Sequence, residues 1–562
     1  MSIAIDVPLL SPAPFDSLAD ALFLGTLFAS GKSLMTSHPL NPSNFDRILC
    51  SLLCLSAISL ATAFAQTPAT PLASSAEQRT IHAFNEAKKN PLELRDFLQG
   101  MPKGGDLHLH LSGGTVYSET LIQDAVEDNL CVTTATMTLF KPQPACGAGA
   151  VPASDALKDQ HLYDALVNAF SMRNFVPSSG ISGHDQFFDT IDRFDSINQS
   201  HVGEWVDEIA TRAAEQNEQY IEAMYTPTFS NAAKLGYQIG WAGNTPEDIR
   251  KTRDKLLAAG LRTEVPIDSK EFDQINASRA QREHCGTSQA GIGCSIKVLY
   301  LYQVLRGFPP QQVFAQTLLG FELAAADPRI VGLNFVMPED GYLSMRDYHL
   351  QMVMLDTLHQ LYPKVRITLH AGELAPGMVA PHGLKFHIRE AVDLGHAERI
   401  GHGIDIMYED HPHELLKQLA AKHIMVEINL TSNDVILGIK GNDHPLALYR
   451  AAHVPVALST DDEGVSRIDL THEYEKGVQE QGLNYLDLKT MARTSLEHSF
   501  IPGESLWTAP DNFTHRNSAC ATAITAASKP SASCAAFLQA SDRATQQWEL
   551  ERRFAAFESQ SH

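Results

Sequence analysis

The chain has 562 residues, of which 44% are hydrophobic and 8% aromatic, so it is long enough for one large folded domain with additions or for two domains. Its formal net charge of −23 excludes nucleic acid as the main partner, because no basic stripe is present to neutralise a phosphate backbone. The acidic balance is instead typical of a solubilising surface.

The first 65 residues carry the features of an export signal. Residues 48–60 form an apolar run of 13, shorter than the ~20 residues that a helix needs to cross a bilayer. The tripeptide Ala63-Phe64-Ala65 follows it and matches a small-x-small cleavage pattern. We therefore predict an N-terminal extension and cleavable signal peptide over residues 1–65, with Met35 as an alternative start. The mature product is expected to be exported (periplasmic or secreted) without a stable membrane anchor; an uncleaved anchor is the alternative.

Cysteine usage agrees with export. Two of the eight cysteines precede residue 66, and the other six fall into three close pairs: Cys131 with Cys146, Cys285 with Cys294, and Cys520 with Cys534. Local pairs in even number are expected of a protein that folds in an oxidising compartment. Six cysteines allow 15 pairings, so the pairing stays open at this point. No Cys-x-x-Cys occurs in the sequence, which excludes the usual cysteine zinc site.

After a linker (66–75) and a helical stretch (76–100), apolar strand-like runs alternate with segments long enough for crossover helices. Eight strands are predicted, at 105–112, 220–226, 295–304, 330–336, 365–370, 399–404, 424–430 and 455–459. Eight β–α units predict an α/β fold, a (β/α)₈ TIM barrel over residues 76–516. Residues 125–180 are an insertion after the first strand that contains one cysteine pair, and residues 517–562 are a helical C-terminal tail.

Four short strings place metal-binding and acid–base side chains near the carboxyl ends of predicted strands 1, 5, 6 and 8. They are Asp106-Leu107-His108-Leu109-His110, His370-Ala371-Gly372-Glu373, Gly401-His402-Gly403 and Ser459-Thr460-Asp461-Asp462. Side chains alternate faces along a strand, so His108 and His110 point the same way. Each string alone is a weak signal, but active sites of this fold lie at the carboxyl ends of the strands. Their co-occurrence there predicts one site.

The residue types indicate zinc chemistry. Four donors are predicted to bind one metal ion: His108, His110, His370 and Asp461. Glu373 occupies a general acid–base position just beyond the strand, and His402 is placed to hydrogen-bond the nucleophile or the developing charge. Asp462 faces away from the adjacent ligand and is placed to bind substrate. The fourth predicted strand has no lysine to bridge two metals, which favours one Zn²⁺ per chain.

Residues 101–500 resemble the adenosine deaminase family. The resemblance rests on three motifs: Met101-Pro102-Lys103-Gly104-Gly105-Asp106-Leu107-His108-Leu109-His110, Tyr220-Ile221-Glu222-Ala223-Met224-Tyr225-Thr226-Pro227 and Ser459-Thr460-Asp461-Asp462. It implies a mononuclear zinc enzyme in which Glu373 protonates the purine N1, His402 orients the attacking hydroxide and Asp462 hydrogen-bonds N7. The opening Lys103-Gly104-Gly105, the cysteine-bearing insertion and the signal peptide are most similar to the secreted adenosine deaminase-related growth factors.

Two positions depart from the family pattern. Met337 occupies a place near the end of strand 4 where the family usually has a glycine whose backbone approaches the purine. Ser112 replaces an acidic ribose contact. Both are predicted to contact substrate, and both bear on which substrate is used more than on the reaction.

The leading hypothesis is hydrolytic deamination of a small-molecule purine nucleoside, adenosine or 2′-deoxyadenosine. The alternatives are another 6-aminopurine (adenine, an N6-substituted adenosine or a nucleotide), a secreted binding or signalling protein on the same scaffold, and a zinc amide hydrolase. A phosphorylated substrate calls for a basic cluster near the strand ends, for which Arg306 and Arg467 are the candidates. The oligomeric state is left open by the sequence.

Overall fold

The structure, a computed structural model, describes residues 74–178 and 180–560. The predicted N-terminal extension and signal peptide lie outside the described residues. Within the described part, no helix combines the length and the apolar character that crossing a membrane requires.

The strands are numbered in chain order. They are β1 (Gly104–His110), β2 (Cys131–Thr133), β3 (Thr138–Phe140), β4 (Ala150–Pro152), β5 (Glu218–Tyr225), β6 (Lys297–Leu305), β7 (Ile330–Val336), β8 (Thr368–Ala371), β9 (Arg399–His402), β10 (Met425–Ile428), β11 (Val456–Leu458), β12 (Trp507–Ala509) and β13 (Asn512–Arg516).

Eight parallel strands form a closed barrel. β1, β5, β6 and β7 pair in one sheet, and β8 to β11 pair in another. A parallel bridge between Leu333 and Ile367 joins the two sheets on one side, and a parallel bridge between Leu109 and Asp461 joins them on the other. The predicted (β/α)₈ barrel is confirmed, and its eight strands are the ones expected.

Three predicted strands run two residues past their observed ends. The first, predicted at 105–112, stops at His110. β9 stops at His402, since His402 and Gly403 have φ of 68° and 59°, which turn the chain out of the sheet. The strand predicted at 424–430 stops at Ile428, and Leu430 begins a helix.

The helices, also in chain order, are α1 (Ser75–Ala87), α2 (Pro91–Gly100), α3 (Ser118–Glu127), α4 (Gln160–Ala169), α5 (Gly183–Phe194), α6 (Val202–Glu215), α7 (Ser230–Ile239), α8 (Pro246–Ala258), α9 (Val265–Arg282), α10 (Pro310–Ala326), α11 (Tyr342–His359), α12 (His387–Asp393), α13 (Pro412–Ala421), α14 (Leu430–Leu437), α15 (Leu446–Ala451), α16 (Glu463–Ser466), α17 (Leu470–Gln481), α18 (Tyr485–His498), α19 (Ala532–Gln539) and α20 (Asp542–Ser559). Proline begins α2, α8, α10 and α13, where its missing N–H costs no hydrogen bond.

The segment between β1 and β5 has a small sheet and a core of its own. β2 pairs antiparallel with both β3 and β4. Residues of α3, β2, α4 and α5 form an apolar cluster that includes Leu121, Val132, Leu166 and Phe187. Ala125, where the insertion was expected to begin, lies inside α3 and belongs to this cluster.

The C-terminal region is a β12–β13 hairpin followed by α19 and α20. Three residues of α20, Leu550, Phe554 and Phe557, join the main core, so this helix packs against the barrel. All three predicted cysteine pairs are bonded, with Cα–Cα distances of 5.4 Å (Cys131–Cys146), 5.6 Å (Cys285–Cys294) and 4.7 Å (Cys520–Cys534).

Candidate active site

The four predicted metal donors meet at the carboxyl ends of the barrel strands. His108 and His110 lie on β1, His370 lies on β8, and Asp461 follows β11. His370 Nε2 is 3.1 Å from His108 Nε2 and 3.2 Å from His110 Nε2. Asp461 Oδ1 is 3.4 Å from His108 Nε2 and 3.1 Å from His110 Nε2. All four residues are buried.

These spacings fit a metal ion. Ligand atoms that bind zinc tetrahedrally at about 2.0–2.1 Å lie about 3.3–3.4 Å from each other, close to the observed spacings. Burial and the neighbouring His108 and His110 lower the pKa of His370 well below its usual value, which favours the neutral form that ligates a metal. Although burial raises it, the neighbouring His108 and His110 hold the pKa of Asp461 well below its usual value.

A second layer of buried acceptors orients the three rings. His108 Nδ1 lies 2.5 Å from Glu427 Oε2, His110 Nδ1 lies 3.0 Å from Gln303 Oε1, and His370 Nδ1 lies 3.0 Å from Asn334 Oδ1. Each acceptor keeps a proton on Nδ1 and leaves the Nε2 lone pair directed at the common centre.

Glu427 is itself fixed as an anion. Burial alone would raise its pKa, but the guanidinium of Arg399, together with His108, holds the pKa at about 2. Arg399 Nε donates to Glu427 Oε1 at 2.5 Å, and Thr368 donates to the same oxygen at 3.0 Å.

Glu373 lies beside this centre as a buried carboxyl group. Burial, the charge of Asp461 and that of Glu339 raise its pKa well above the usual range. The backbone N–H groups of Gly372 and Glu373 donate to the Glu339 carboxylate at 3.1 and 2.7 Å. Glu339 also accepts from His387 Nδ1 at 2.5 Å. The turn that carries Glu373 is therefore held from its backbone.

His402 is the sixth buried residue of the cluster. Its Nδ1 is 3.7 Å from Glu373 Oε1 and its Nε2 is 3.9 Å from Asp461 Oδ2. His402 therefore lies between the acid and a metal donor, close enough for a small molecule or a water to contact all three groups.

The three predicted substrate contacts differ in their placement. Asp462 is buried next to His110, and its Oδ1 accepts from the Gly114 N–H at 2.6 Å. The Ser112 hydroxyl accepts from the Thr226 N–H at 3.0 Å, so it is already engaged in the fold.

Met337 is different from both. It is 37% exposed and has φ of 87°, a backbone conformation that favours glycine. A Cβ added at Gly307 would lie 2.8 Å from the Met337 methyl carbon and 3.0 Å from its sulfur, so the thioether packs directly against that glycine. The position thus keeps the backbone of a glycine while carrying a side chain.

Several residues of the site were not predicted. Gln303, Asn334 and Glu427 orient the metal donors, and Glu339 orients Glu373. Three of these four interrupt apolar strands with a buried polar side chain, which is a sequence signal. Which ring each one contacts is decided by the pairing of strands.

The comparisons with known proteins agree with this geometry. A family model described as "Adenosine deaminase" matches residues 182–507, more than half of the chain. An adenosine deaminase of Shewanella loihica is 38% identical over 136 residues, which are 24% of this chain and 38% of the relative. An adenosine deaminase of Clostridium perfringens (strain 13 / Type A) is 35% identical over 140 residues, 25% of this chain and 39% of the relative. The chain thus spans about two-fifths of the length of the curated relatives it matches.

Among solved structures, an adenine deaminase from Arthrobacter aurescens is similar at 18% identity and a TM-score of 0.45, over 71% of this chain and 94% of that one. The comparisons do not separate branches within the family, so the growth-factor branch stays a prediction. On the family model that covers more than half of its length, the chain belongs to the adenosine deaminase family.

Proposed function

We propose that the protein is a zinc-dependent aminohydrolase that converts adenosine or 2′-deoxyadenosine, with one water, into inosine or 2′-deoxyinosine and ammonia. The observation that carries this proposal is the buried cluster in which four donors converge beside Glu373, a buried carboxyl group. His108, His110, His370 and Asp461 would hold one Zn²⁺. When bound, zinc supplies a Lewis acid that makes water nucleophilic near neutral pH.

The residues around the donors perform the proton and orientation work. Glu373 holds a proton that it can deliver to the purine N1, which makes C6 more electrophilic. His402 orients the attacking water. Asp462, whose pKa is raised to about 6 by burial, donates a hydrogen bond from its protonated carboxyl to the unprotonated N7 of the base. Burial of all these groups strengthens each electrostatic contact.

A nucleoside is favoured over a nucleotide. Arg306 is buried and donates to the backbone oxygens of Phe335 and His370, both at 2.8 Å. Arg467 pairs with both carboxylate oxygens of Glu119 at 2.8 and 3.1 Å. Arg467 is thus engaged by Glu119. Arg306 is fully buried, although its Nε and Nη1 have no hydrogen-bond partner among the described residues. Neither position offers an unpaired guanidinium at the protein surface, which supports an uncharged substrate.

A second candidate substrate, another 6-aminopurine, is favoured by one observation. The Met337 side chain stands where the resemblance implies a glycine; it is 37% exposed and packs against Gly307. It would narrow the space beside a bound base. A Met337→Gly variant assayed against adenosine, adenine and N6-methyladenosine would show whether this side chain selects among them. Equal selectivity in both proteins would remove Met337 from substrate recognition.

We also propose export. Three disulfides within the described residues support folding in an oxidising compartment. The test is N-terminal sequencing of the mature protein, which is expected to begin at Gln66. A mature protein that retains residues 48–60 would favour the anchor alternative.

The activity test uses the oxidised, zinc-loaded protein with adenosine, followed by ultraviolet absorbance and by ammonia release. We expect turnover to inosine, and its loss in Glu373→Gln with the fold and the zinc content retained. Glu414→Gln, which changes an exposed glutamate on α13, is the matched control and should retain activity. Turnover of another aminopurine but not of adenosine would select the second candidate. Ammonia release from peptides would select an amide hydrolase, and no turnover at all by a folded, zinc-loaded sample would favour the binding-protein alternative.

A further inference from the structure

We propose that His444 and Asn433 are positioning residues that fix the tautomer of His402, with its proton on Nε2, so that His402 acts as a hydrogen-bond donor toward the reacting water. The inference rests on the proposed deaminase function for its catalytic consequence, while the tautomer itself is independent of that function. Asn433 and His444 belong to no group of potential metal donors among the described residues, and His402 is not one of the four donors His108, His110, His370 and Asp461, although it lies close to Glu373 and Asp461.

One hydrogen bond at His444 has a donor that cannot be reversed. The backbone N–H of Leu446 points at His444 Nδ1, with the two nitrogens 3.1 Å apart. A backbone N–H can only donate, so His444 Nδ1 is an unprotonated acceptor. His444 is buried, and burial, helped by the charge of Lys476, lowers its pKa to about 3. The ring is therefore neutral and carries its proton on Nε2.

That proton sets the amide of Asn433. His444 Nε2 lies 3.2 Å from Asn433 Oδ1 and donates to it. The other end of the amide, Nδ2, then lies 2.9 Å from His402 Nδ1. An amide nitrogen can only donate, so His402 Nδ1 is an acceptor and a neutral His402 ring carries its proton on Nε2.

Nε2 is the nitrogen of His402 that lies nearer to Asp461, at 3.9 Å from Oδ2. Asn429 also lies near the ring, but its amide nitrogen is 3.4 Å from Nε2 and 3.5 Å from Nδ1, so it does not discriminate between them. The shorter contact, 2.9 Å from Asn433 Nδ2 to His402 Nδ1, therefore determines the tautomer of His402. His402 thus offers a donor, rather than a base, on the side of the metal donors.

The three residues His444, Asn433 and His402 form a hydrogen-bond relay, which the surrounding fold holds in place. Asn433 lies on α14, and the first two N–H groups of that helix, from Leu430 and Thr431, donate to Glu473 at 2.7 and 3.1 Å. His402, Asn433, His444 and Glu473 are all buried. No part of the relay can turn toward water without breaking a buried hydrogen bond, which is costly.

The first test is spectroscopic and needs no substrate. Protein labelled with ¹⁵N-histidine and loaded with zinc is compared with its His402→Gln variant, which identifies the resonances of His402. We expect Nε2 protonated and Nδ1 unprotonated. An Nδ1–H tautomer in the wild-type protein would overturn the proposal, whether or not the protein is a deaminase.

The second test is kinetic and uses a matched pair at His444. The amide of His444→Gln can accept from Leu446 and donate to Asn433, whereas His444→Phe fills the space without either bond. We expect kcat within about threefold of wild type for the glutamine variant and a fall of about 10- to 100-fold for the phenylalanine variant, with KM and zinc content unchanged in both. Equal kcat values for the two variants would overturn the proposal.

Asn433→Asp gives the sharpest change, because a carboxylate only accepts and so requires a proton on His402 Nδ1. We expect the ¹⁵N signature of His402 to reverse and kcat to fall by about 100-fold or more, as for other catalytic histidines held in the wrong tautomer. An unchanged ¹⁵N signature would contradict the relay. If this variant does not fold, the two His444 variants test the proposal instead. If no aminopurine is a substrate, the ¹⁵N spectrum of the wild-type protein tests it.

Discussion

The carboxyl ends of the barrel strands and the C-terminal tail are held together by different forces. At the strand ends, buried imidazoles, carboxylates and amides fix one another through hydrogen bonds of 2.5 to 3.0 Å, such as those of His108, His110 and His370 to their acceptors. The tail is held by the Cys520–Cys534 disulfide and by a small apolar cluster in which Leu538 packs with Leu506, the residue just before β12.

This difference shows that the contacts that orient reactive side chains are not the contacts that stabilise the fold. Burying polar and charged groups is unfavourable unless each is paired, so the strand-end network specifies positions at a cost in stability. A disulfide and apolar contacts stabilise the tail without orienting any reactive group. We therefore expect changes at the strand ends to alter activity or metal affinity, and changes in the tail to alter stability alone.

The largest effect is expected from removing the metal. Exhaustive chelation should reduce deamination by at least about 10³-fold, because the Lewis acid is lost and three buried rings are left without their common partner. It should also lower the melting temperature, since a ligand that binds only the folded state stabilises it. Readdition of zinc, followed by rate and by melting temperature, checks both. Full activity in metal-free protein would contradict the site.

The next effect is in the tail. Replacing Cys520 and Cys534 together by serine should lower the free energy of unfolding by about 3 kcal/mol, as expected for a closed loop of about 15 residues. Denaturant unfolding measures this change, and kcat at a temperature where the variant is folded should be that of the wild type. Ser533→Ala, a neighbouring exposed position, is the control. A loss of kcat in the folded double variant would break the comparison.

A smaller effect is expected from the acceptor of His110. Gln303→Leu removes the oxygen that orients the ring and should weaken zinc affinity by about 10- to 100-fold. Gln316→Leu is the matched control, because Gln316 is equally buried but contacts the backbone of Leu305 rather than a metal donor. Zinc titration against a chelator of known affinity measures both. Similar affinities in the two variants would show that the acceptor is dispensable.

The smallest effect concerns the turn between β12 and β13. Asp511 accepts from His498 Nε2 and His423 Nδ1, both at 2.7 Å. Burial opposes ionisation, but the two histidines lower the pKa of Asp511 below its usual 3.8. A lowered carboxyl pKa contributes stability that is present above pH 3.8 and is lost as the pH falls through the folded-state value.

Asp511→Asn should therefore lower the free energy of unfolding by at most about 1 kcal/mol near pH 6, since the group is partly exposed. The difference should shrink below pH 3.8. Thermal unfolding of both proteins from pH 3 to 7 measures it, with activity at pH 7 as the control that should not change. A difference that grows as the pH falls would have the wrong sign for this ion pair.

The sequence alone was sufficient to predict features that depend on residues close together along the chain. Strand alternation and the length of the apolar runs predicted the barrel, and strings such as His108-Leu109-His110 predicted donors on one face of a strand, because side-chain direction alternates with every residue. The three cysteine pairs were predicted from the sequence as well, because the two cysteines of each pair lie close together along the chain.

Tertiary structure decided the contacts between distant parts of the chain. Glu427 contacts His108 across 319 residues, and Gln303 contacts His110 across 193, so only the order of strands around the closed barrel brings them together. The same closure places His444 and Asn433 behind His402. A sequence pattern specifies which way a side chain points from its own strand, whereas the partner it meets depends on the packing of every strand between them.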